Sequence, residues 1–331
     1  MLLALDDDIF DAFLTPEALG RLAGQARVAR AGAQDWTGHP DLAEARVVVT
    51  GWGSARLDPE VFARAPRLTA LVHTAGTVKA VLDPSAWHRP GFVVSSQVEA
   101  NAAPVAAHTA ALVVLALRGT LGLRERYRRD RRDLFTRRGW VTDPSRGLAG
   151  RSVGILSASR IGREVIELLR PHPVQVLLYD PYVSPAEAEA LGVTWVASLT
   201  ELAERSDVFS IHAPWLPETE GMVDAEVLAA LHDDATVVNT ARGAIVDEAA
   251  LVAELVTGRL NAVLDVTWPE PPADDSPLWD LDNVFLTPHV AGSLGSELAV
   301  MGGQAVDEVL RLLAGKALRH EVDPRSFAQQ A

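Results

Sequence analysis

The sequence predicts an α/β protein built from two parallel sheets in two domains. Short apolar runs alternate with helical segments from about residue 150 to 290, the order expected of parallel strands joined by crossover helices. The apolar runs are nearly uninterrupted, as in strands that are buried on both faces. The chain has 331 residues, and at about 100–200 residues per domain this length fits two domains.

The second half of the chain carries the larger predicted sheet. Its predicted strands are residues 153–156, 174–179, 208–212, 236–239, 261–265 and 284–286. The helices predicted between these strands are residues 161–170, 185–191, 199–204, 225–231 and 248–257. This alternation predicts a doubly wound sheet with helices on both faces.

The first hundred residues alternate in the same way over a shorter length. The predicted elements there are strands at residues 47–50, 70–73 and 92–95 and a helix at residues 59–65. We therefore expect a smaller α/β unit with its own sheet. Residues 101–118 predict a long helix that crosses between the units. Residues 295–314 predict another helix, after which the tail returns to the first unit.

Acidic residues outnumber basic ones, which argues against two classes of partner. Lys and Arg number 30 and Asp and Glu number 44, so the formal net charge is −14. Nucleic acids and anionic membranes both need a basic surface, and neither is expected as a partner. Residues 124–138 hold eight arginines interleaved with acidic residues, which indicates a solvated helix face or a subunit contact.

The sequence contains no cysteine. Disulfides, thiolate nucleophiles, Cys-ligated zinc and iron–sulfur clusters are therefore excluded, and redox chemistry needs a dissociable cofactor. No cluster with metal-ligand spacing appears, so no metal site is predicted. Asp6, Asp7 and Asp8 interrupt the apolar N-terminus, and the apolar stretch 102–117 is shorter than the ~20 residues that span a bilayer. We expect a soluble cytoplasmic protein.

Residues 153–162 follow the strand–turn–helix plan of a dinucleotide-binding loop. In the usual G-x-G-x-x-G pattern the first glycine forms the tight turn and the second lets the backbone approach the pyrophosphate. The third lets the helix pack closely on the strand. Here Ser157 and Ser159 replace the first two glycines, and Gly162 keeps the third. A serine Cβ crowds the phosphate, but its hydroxyl can donate to a phosphate oxygen, and the helix N-terminus still offers free amides.

Asp180 supports the same interpretation. It ends the next predicted strand, 18 residues beyond Gly162. A carboxylate there accepts hydrogen bonds from the adenosine ribose hydroxyls and repels a 2′-phosphate, which favours NAD over NADP. The alternative is that Asp180 and Pro181 simply form a turn.

Three further segments at predicted strand ends each present one ionisable side chain. Arg242 lies in Asn-Thr-Ala-Arg-Gly, Glu270 in Asp-Val-Thr-Trp-Pro-Glu-Pro, and His289 in Thr-Pro-His-Val-Ala-Gly. Ligands of open parallel sheets bind beyond the carboxyl ends of the strands, so these side chains are candidates for the chemistry.

With these motifs in this order, the sequence resembles the D-isomer-specific 2-hydroxyacid dehydrogenases over essentially the whole chain. The resemblance implies an NAD-dependent enzyme in which a Rossmann-type domain, residues 101–295, is inserted in a smaller flavodoxin-like α/β substrate domain, residues 1–100 and 296–331. It also implies an active site between the two domains, a small anionic substrate, and a homodimer joined largely through residues 101–140.

The three candidate catalytic residues suit this chemistry. Reduction of a 2-oxo acid needs a hydride from nicotinamide and a proton for the developing alkoxide, and His289 is the natural general acid, with an unperturbed pKa of about 6.5. Glu270, if hydrogen-bonded to His289, favours the imidazolium form. Arg242 offers a planar fork that can hold a carboxylate and polarise a carbonyl. The family gives these roles to the matching residues.

Further positions follow from the resemblance. The cofactor-binding positions are Ser157, Ala158, Ser159, Arg160, Ile161, Gly162, Asp180, His212, Ala213, Pro214, Thr219, Thr240, Ala241, Asp265 and Gly292. His212, Ala213, Pro214 and Thr219 match the adenine-side wall, Thr240 matches a nicotinamide-side contact, and Asp265 matches a contact to the nicotinamide carboxamide. The substrate-binding positions are Trp52, Gly76, Thr77 and Val78. Residues 76–78 match the loop whose amides hold the acid group, and Val78 replaces a common glycine and would narrow that pocket.

Two departures from the family bear on function. Ala107 stands where glutamate is usual, which affects an interface or hinge contact. Trp52 stands where phosphoglycerate dehydrogenases tend to have a phosphate-binding arginine, which argues against 3-phosphoglycerate. Two other functions stay open: a non-catalytic NAD-sensing or corepressor-like protein, and a dehydrogenase for a phosphite or phosphonate anion. Formate-type relatives pair the histidine with glutamine, so Glu270 disfavours them.

Overall fold

Two parallel sheets form the frame of the structure, a computed structural model that describes residues 1–329. The chain divides into a first unit, Met1–Ala102 with residues 293–329, and a second unit, Ala103–Gly292. The predicted boundaries, after residues 100 and 295, lie within three residues of these positions. Residues 330 and 331, which were assigned to the substrate domain, lie outside the described residues.

Strands and helices alternate along most of the chain. The strands are β1 (Leu2–Ala4), β2 (Ala29–Ala31), β3 (Val47–Thr50), β4 (Ala70–His73), β5 (Val93–Ser96), β6 (Arg151–Leu156), β7 (Val174–Tyr179), β8 (Thr194–Trp195), β9 (Val208–Ile211), β10 (Thr236–Asn239), β11 (Asn261–Leu264) and β12 (Val284–Leu286). The α-helices are α1 (Asp7–Phe13), α2 (Pro16–Ala23), α3 (Pro59–Arg64), α4 (Val98–Leu117), α5 (Thr120–Asp130), α6 (Arg132–Arg137), α7 (Arg160–Leu169), α8 (Pro185–Ala190), α9 (Leu199–Glu204), α10 (Ala225–Ala230), α11 (Glu248–Thr257) and α12 (Ser296–Leu313). Short 3-10 helices cover Trp36–Gly38, Pro40–Glu44, Pro84–His88, Gly139–Val141, Gly243–Ile245, Pro277–Trp279 and Pro324–Gln329.

The first unit has a five-stranded parallel sheet in the order β2-β1-β3-β4-β5. The sequence predicted three of these strands and missed β1 and β2. Each missed strand has only three residues, too few to show a periodic pattern. Helix α12 packs against α1 in this unit, and a Cβ added to Gly302 would lie 1.7 Å from the carbonyl oxygen of Phe13. Only glycine permits that approach.

The second unit has a seven-stranded parallel sheet in the order β12-β11-β10-β9-β6-β7-β8. The six predicted strands are all present, with ends within two residues of the prediction, and the two-residue strand β8 is additional. The chain runs outward from β6 through β8 and then returns to β9, which lies beside β6. The carboxyl ends of β6 and β9 therefore flank the topological switch point, where ligands of doubly wound sheets bind.

Both sheets are covered by apolar clusters on their two faces. In β10, Val237 belongs to one cluster and its neighbour Val238 to the other. In β3, Val48 faces one cluster of the first unit, whereas Val47 and Val49 face the other. Successive strand side chains point to opposite faces, so an uninterrupted apolar run is what a sheet buried on both sides requires.

Several helices begin at residues whose side chains cap the first turn. The Ser184 hydroxyl accepts from the Glu187 amide, and the Glu187 side chain accepts from the Ser184 amide, which forms a complete capping box at α8. Asp224 and Asp247 cap α10 and α11 in the second unit. Such caps satisfy first-turn amides that have no partner within the helix.

Helix α4 is longer than the apolar stretch read from the sequence. Among residues 1–329, this 20-residue helix is long and apolar enough to cross a membrane, judged by length and composition alone. Ala106, Ala110 and Val113 on this helix belong to the core of the second unit. A core helix of a folded domain meets the same length and composition test.

Candidate active site

His289 and Glu270 form a hydrogen-bonded pair in the second unit. The distance from His289 Nδ1 to Glu270 Oε1 is 2.7 Å. Both side chains are partly exposed, 46% for His289 and 40% for Glu270. They follow β12 and β11, two neighbouring strands, so the carboxyl edge of the sheet brings together residues that are 19 positions apart in sequence.

Arg242 lies at the same edge, in the turn after β10. The side chain of Asn239 fixes this turn: its Oδ1 accepts from the Ala241 amide at 3.0 Å, and its Nδ2 donates to the Arg242 carbonyl at 2.9 Å. Burial lowers the pKa of the Arg242 guanidinium, and the charge of Glu270 opposes that shift. Asn239 belongs to the motif quoted from the sequence, but its role in shaping the turn was not predicted.

Gly243 explains why the Arg242 turn can lie so close to the Glu270 segment. A Cβ added to Gly243 would lie 2.0 Å from the carbonyl oxygen of Thr267 and 2.1 Å from its carbonyl carbon. The Thr267 hydroxyl in turn donates to the Pro269 carbonyl at 2.8 Å, next to Glu270. A glycine is required here for backbone-to-backbone contact between the ends of β10 and β11.

Asp265 organises the segment that contains His289. Its Oδ1 accepts from the Thr287 hydroxyl at 2.6 Å and from the Val290 amide at 2.8 Å, and its Oδ2 accepts from the Ala291 amide at 2.9 Å. The Asp265 carbonyl accepts from the amide of His289 at 3.0 Å. Asp265 is 1% exposed. Three donors of the chain thus occupy its carboxylate, which the sequence did not predict, and the contact of Asp265 to the nicotinamide carboxamide stays a prediction.

His289 itself has an unusual backbone conformation. Its φ is 54°, in the left-handed region that few non-glycine residues occupy. The Asp265 hydrogen bonds to residues 287, 290 and 291 bracket this position on both sides. The loop thus has enough fixed contacts to hold His289 in a conformation that an isolated peptide would disfavour.

In the loop after β6, Ser157 replaces the first motif glycine but adopts a backbone conformation typical of glycine. Ser157 has φ of 78°, and its hydroxyl donates to Asp180 Oδ2 at 3.1 Å. The Ala158 amide donates to the same oxygen at 2.8 Å, and the Tyr182 amide donates to Asp180 Oδ1 at 2.8 Å. The sequence placed Asp180 correctly at the end of β7 but did not predict that the loop itself would occupy its carboxylate.

The third glycine of the motif has the role that the pattern predicts. A Cβ added to Gly162 would lie 2.2 Å from the Ser157 carbonyl oxygen, so helix α7 can approach β6 only with glycine there. Ser159 is the N-cap of α7 and accepts from the Gly162 amide at 3.2 Å. Arg160 and Ile161 form the first turn of this ten-residue helix, whose N-terminus suits an anionic group.

These residues fit an adenine dinucleotide. The close β6–α7 approach, the N-terminus of α7 and a carboxylate at the end of β7 are the features that hold such a cofactor. The Ser157 hydroxyl donates its proton to Asp180 and is not directed to a phosphate, whereas the Ser159 hydroxyl accepts from the Gly162 amide and keeps its proton for an acceptor such as phosphate.

The remaining predicted cofactor positions also lie in the second unit. His212 is buried, Ser210 Oγ lies 2.9 Å from its Nε2, and burial lowers its pKa to about 3. Ala213 is buried beside it, and the Thr219 hydroxyl donates to the Pro214 carbonyl at 2.6 Å. The Thr240 hydroxyl lies 2.6 Å from that of Thr109 on α4, a partner that was not predicted. The remaining two positions are Ala241 in the Arg242 turn and Gly292 at the end of the unit.

The predicted substrate positions lie at the carboxyl ends of β3 and β4 in the first unit. Trp52 is 41% exposed and packs edge-on against Phe13, with ring centroids 5.3 Å apart. Gly76 and Thr77 are partly exposed. The prediction that the Val78 side chain narrows a pocket was wrong, because that side chain is fully buried in the hydrophobic core.

Asn101 is a further polar residue at this edge that the sequence did not single out for a role. Its Oδ1 accepts from the Ser293 amide at 2.9 Å, and its Nδ2 lies 3.7 Å from the position of a Cβ at Gly76. It therefore joins the Gly76 loop to the start of the α12 segment. Because Gly76 and Asn101 are 25 positions apart, their proximity leaves no signal in the sequence.

Glu270 and His289 also line a cavity of about 1080 Å³ in the second unit. The cavity extends from the His289–Glu270 pair along β12 to α5, where Arg124 and Arg129 contribute to its wall. Within residues 1–329, no group of three or more His, Asp or Glu side chains is arranged to hold a metal ion.

Comparisons with known proteins agree with this geometry. A family model described as "D-isomer specific 2-hydroxyacid dehydrogenase, NAD binding domain" matches residues 111–291. The D-3-phosphoglycerate dehydrogenase of Mycobacterium tuberculosis is 35% identical over 267 residues, which are 78% of this chain and 48% of that protein. The enzyme of that name from Archaeoglobus fulgidus is 34% identical over 272 residues, 81% of this chain and 50% of that protein. The chain thus spans about half the length of the curated relatives it matches.

Solved structures resemble the whole chain. The TT0316 protein from Thermus thermophilus is 28% identical with a TM-score of 0.78, covering 98% of this chain and 100% of that one. The NADPH-dependent glyoxylate/hydroxypyruvate reductase SmGhrB from Sinorhizobium meliloti, in complex with citrate, is 25% identical with a TM-score of 0.76, covering 98% of both chains. The fold and the motifs agree, and the chain belongs to the family of D-isomer specific 2-hydroxyacid dehydrogenases, whose NAD-binding domain it contains.

Proposed function

We propose that this protein is an NAD-dependent oxidoreductase that transfers a hydride between NAD(H) and a small 2-hydroxy or 2-oxo acid. The observation that carries the proposal is the His289–Glu270 pair, 2.7 Å apart, with Arg242 at the same edge of the sheet. Family membership supports the reaction type. The substrate and the residue roles are our own assignment.

His289 moves the proton in this proposal. Its Nδ1 faces Glu270, which leaves Nε2 as the nitrogen that meets the substrate oxygen. In reduction the imidazolium donates a proton to the developing alkoxide, and in oxidation the neutral ring accepts it. Glu270 orients the ring through its hydrogen bond to Nδ1.

Arg242 holds the acid group and polarises the carbonyl through its planar, always charged guanidinium. The turn fixed by Asn239 and the close packing at Gly243 keep the guanidinium near Glu270 without a flexible loop between them. The bound dinucleotide would supply or accept the hydride.

We propose NAD rather than NADP as the natural cofactor. A carboxylate at the end of β7, Asp180, repels a 2′-phosphate. SmGhrB is described as NADPH-dependent, so related folds take either cofactor, and the choice depends on this position rather than on the fold.

We propose a substrate without a phosphate group. The curated relatives are D-3-phosphoglycerate dehydrogenases, but Trp52 presents an indole where the resemblance implies an arginine for phosphate. The ring packs on Phe13 and exposes 41% of its surface. A flat apolar edge of this kind suits an uncharged substrate side chain.

We also propose a homodimer that uses residues 101–140. Helices α5 and α6 contain no buried residue, and Tyr127 and Phe135 are more than half exposed. Exposed aromatic side chains on one segment favour self-association, which light scattering on the purified protein would detect as twice the 35.5 kDa chain mass. The cytoplasmic location stays a prediction.

The test of the reaction follows NADH and NADPH oxidation by absorbance with 2-oxo acids of graded size, glyoxylate and a phosphonate analogue. His289→Asn should lower kcat by about 10²–10⁴-fold. His232→Asn is the matched control, because His232 also pairs with a carboxylate, Asp207, at 3.1 Å and is similarly exposed at 41%.

Turnover that is lost in His289→Asn and retained in His232→Asn supports the proposal. Equal turnover in wild type and His289→Asn would remove His289 from the chemistry. NADH binding with no turnover on any acid would favour a cofactor-sensing protein, and turnover with only the phosphonate would assign the other anion class.

A further inference from the structure

Ser157 occupies a position whose positive φ favours glycine. Its φ of 78° lies in the left-handed region, which L-residues other than Asn and Asp seldom adopt. Its hydroxyl donates to Asp180 Oδ2 at 3.1 Å. This hydrogen bond to a carboxylate offsets the unfavourable conformation and ties the loop after β6 to the end of β7.

The chain's own donors leave Asp180 little capacity for a ligand. An ionised carboxylate accepts about four hydrogen bonds, two on each oxygen. Ser157 Oγ and the Ala158 amide occupy Oδ2, and the Tyr182 amide occupies one position on Oδ1. The side chain is only 8% exposed, so its remaining acceptor position is on Oδ1.

A ribose with both hydroxyls free needs two acceptor positions if both are to be held by one carboxylate. Two of the donors on Asp180 are backbone amides, which cannot be withdrawn without moving the loop. The Ser157 hydroxyl is the one donor that a side-chain rotation can remove.

We infer that the Ser157 hydroxyl competes with the adenosine ribose of the cofactor for hydrogen bonds to Asp180. It thereby sets how many ribose hydroxyls Asp180 can accept. This inference rests on the proposed function, because it takes NAD(H) as the ligand. With Ser157 in place, Asp180 accepts one ribose hydroxyl. Ser157 is thus a specificity-determining residue that weakens recognition of the ribose diol.

The inference can be tested without turnover by titrating ADP, 2′-deoxy-ADP and 3′-deoxy-ADP in a calorimeter. For the wild type, removal of one of the two hydroxyls should change the dissociation constant by less than about twofold, and removal of the other by about fivefold. In Ser157→Ala, removal of either hydroxyl should cost about fivefold, and ADP and NADH should both bind about three- to tenfold more tightly.

Two further variants keep the test decisive. Ser157→Gly also removes the hydroxyl and suits a φ of 78°, so it should match Ser157→Ala and covers the case in which alanine does not fold. Ser184→Ala removes another serine hydroxyl four residues after Asp180, one that bonds Glu187 instead. This control should keep the wild-type pattern.

The outcomes separate the inference from the proposed function. If the wild type binds NADH but already loses affinity for both deoxy analogues, or if Ser157→Ala and Ser157→Gly bind ADP no better than wild type, the inference is overturned and the function stands. If neither wild type nor the variants bind NADH, the proposed function fails and the inference fails with it. Binding by the two Ser157 variants but not by wild type would support the inference in its strongest form.

Discussion

Asp265→Asn tests whether a buried carboxylate, rather than the cofactor, positions His289. Three donors converge on Asp265: the Thr287 hydroxyl, the Val290 amide and the Ala291 amide. Asparagine offers one acceptor oxygen and one NH₂ group. In either orientation the NH₂ group faces at least one backbone N–H, which then has no acceptor.

The magnitude follows from that count. A hydrogen bond to a charged acceptor contributes about 1.5–3 kcal/mol, and a buried donor left without a partner costs about 1–3 kcal/mol. We therefore expect the ordered form of residues 287–291 to be destabilised by about 3 kcal/mol. If all of this falls on the catalytic arrangement, kcat/KM falls about 100-fold, at 1.36 kcal/mol for each factor of ten.

The assay combines thermal unfolding without cofactor, NADH affinity by fluorescence, and turnover. Asp265→Asn should lower both the Tm and kcat while changing NADH affinity by a smaller factor. Asp224→Asn is the matched control, since Asp224 also accepts from two backbone amides, at the start of α10. An unchanged Tm in Asp265→Asn together with a large loss of NADH affinity would refute the reasoning and restore the nicotinamide carboxamide as the main partner.

Two other perturbations follow from the same structure. Gly243→Ala should lower turnover by about 10–100-fold. The added Cβ would lie 2.0 Å from the Thr267 carbonyl oxygen, so the Arg242 turn must move away by about 1 Å. Steady-state kinetics equal to those of the wild type would contradict this close approach. Burial lowers the pKa of His73 to about 4 and of His212 to about 3, so the unfolded chain binds more protons below about pH 6.5 and stability is lost as the pH falls towards those values. Between pH 7 and pH 4.5, each histidine should lower the free energy of unfolding by about 2.5 kcal/mol. Urea titrations of the wild type and of variants with glutamine at either position measure this loss. A glutamine variant that loses as much stability as the wild type would show that the replaced histidine does not contribute.

The sequence predicted the larger sheet well because its strands are long apolar runs bounded by helices. It missed β1 and β2 because three residues carry no periodic signal. It also placed Arg242, Glu270 and His289 at neighbouring strand ends, since parallel strands bring their carboxyl ends to one edge. The sequence pattern does not show which way a loop side chain points. Val78, for example, lies in the expected loop, but its side chain points into the core.

Asp180 and Asp265 show why the residue type at a strand end does not by itself predict what the side chain does. Asp180 follows β7, Asp265 follows β11, and each accepts three hydrogen bonds from its own chain. Four of these six donors are backbone amides, which leave no mark in a sequence. A carboxylate in this position therefore shapes the loop first, and a ligand receives only the acceptor capacity that remains. For Asp265 this means that the placement of His289 depends on one side chain.

The same reasoning explains how the loop after β6 tolerates the loss of its first glycine. Glycine at that position is favoured because φ is positive, and Ser157 keeps φ at 78°. The hydroxyl that serine adds reaches Asp180, so the residue that brings backbone strain also brings the hydrogen bond that offsets it. The backbone path of the loop is thereby preserved while the carboxylate at its end is partly occupied. Under our inference, replacement of the motif glycine by Ser157 reduces the number of acceptor positions that Asp180 offers to a ribose.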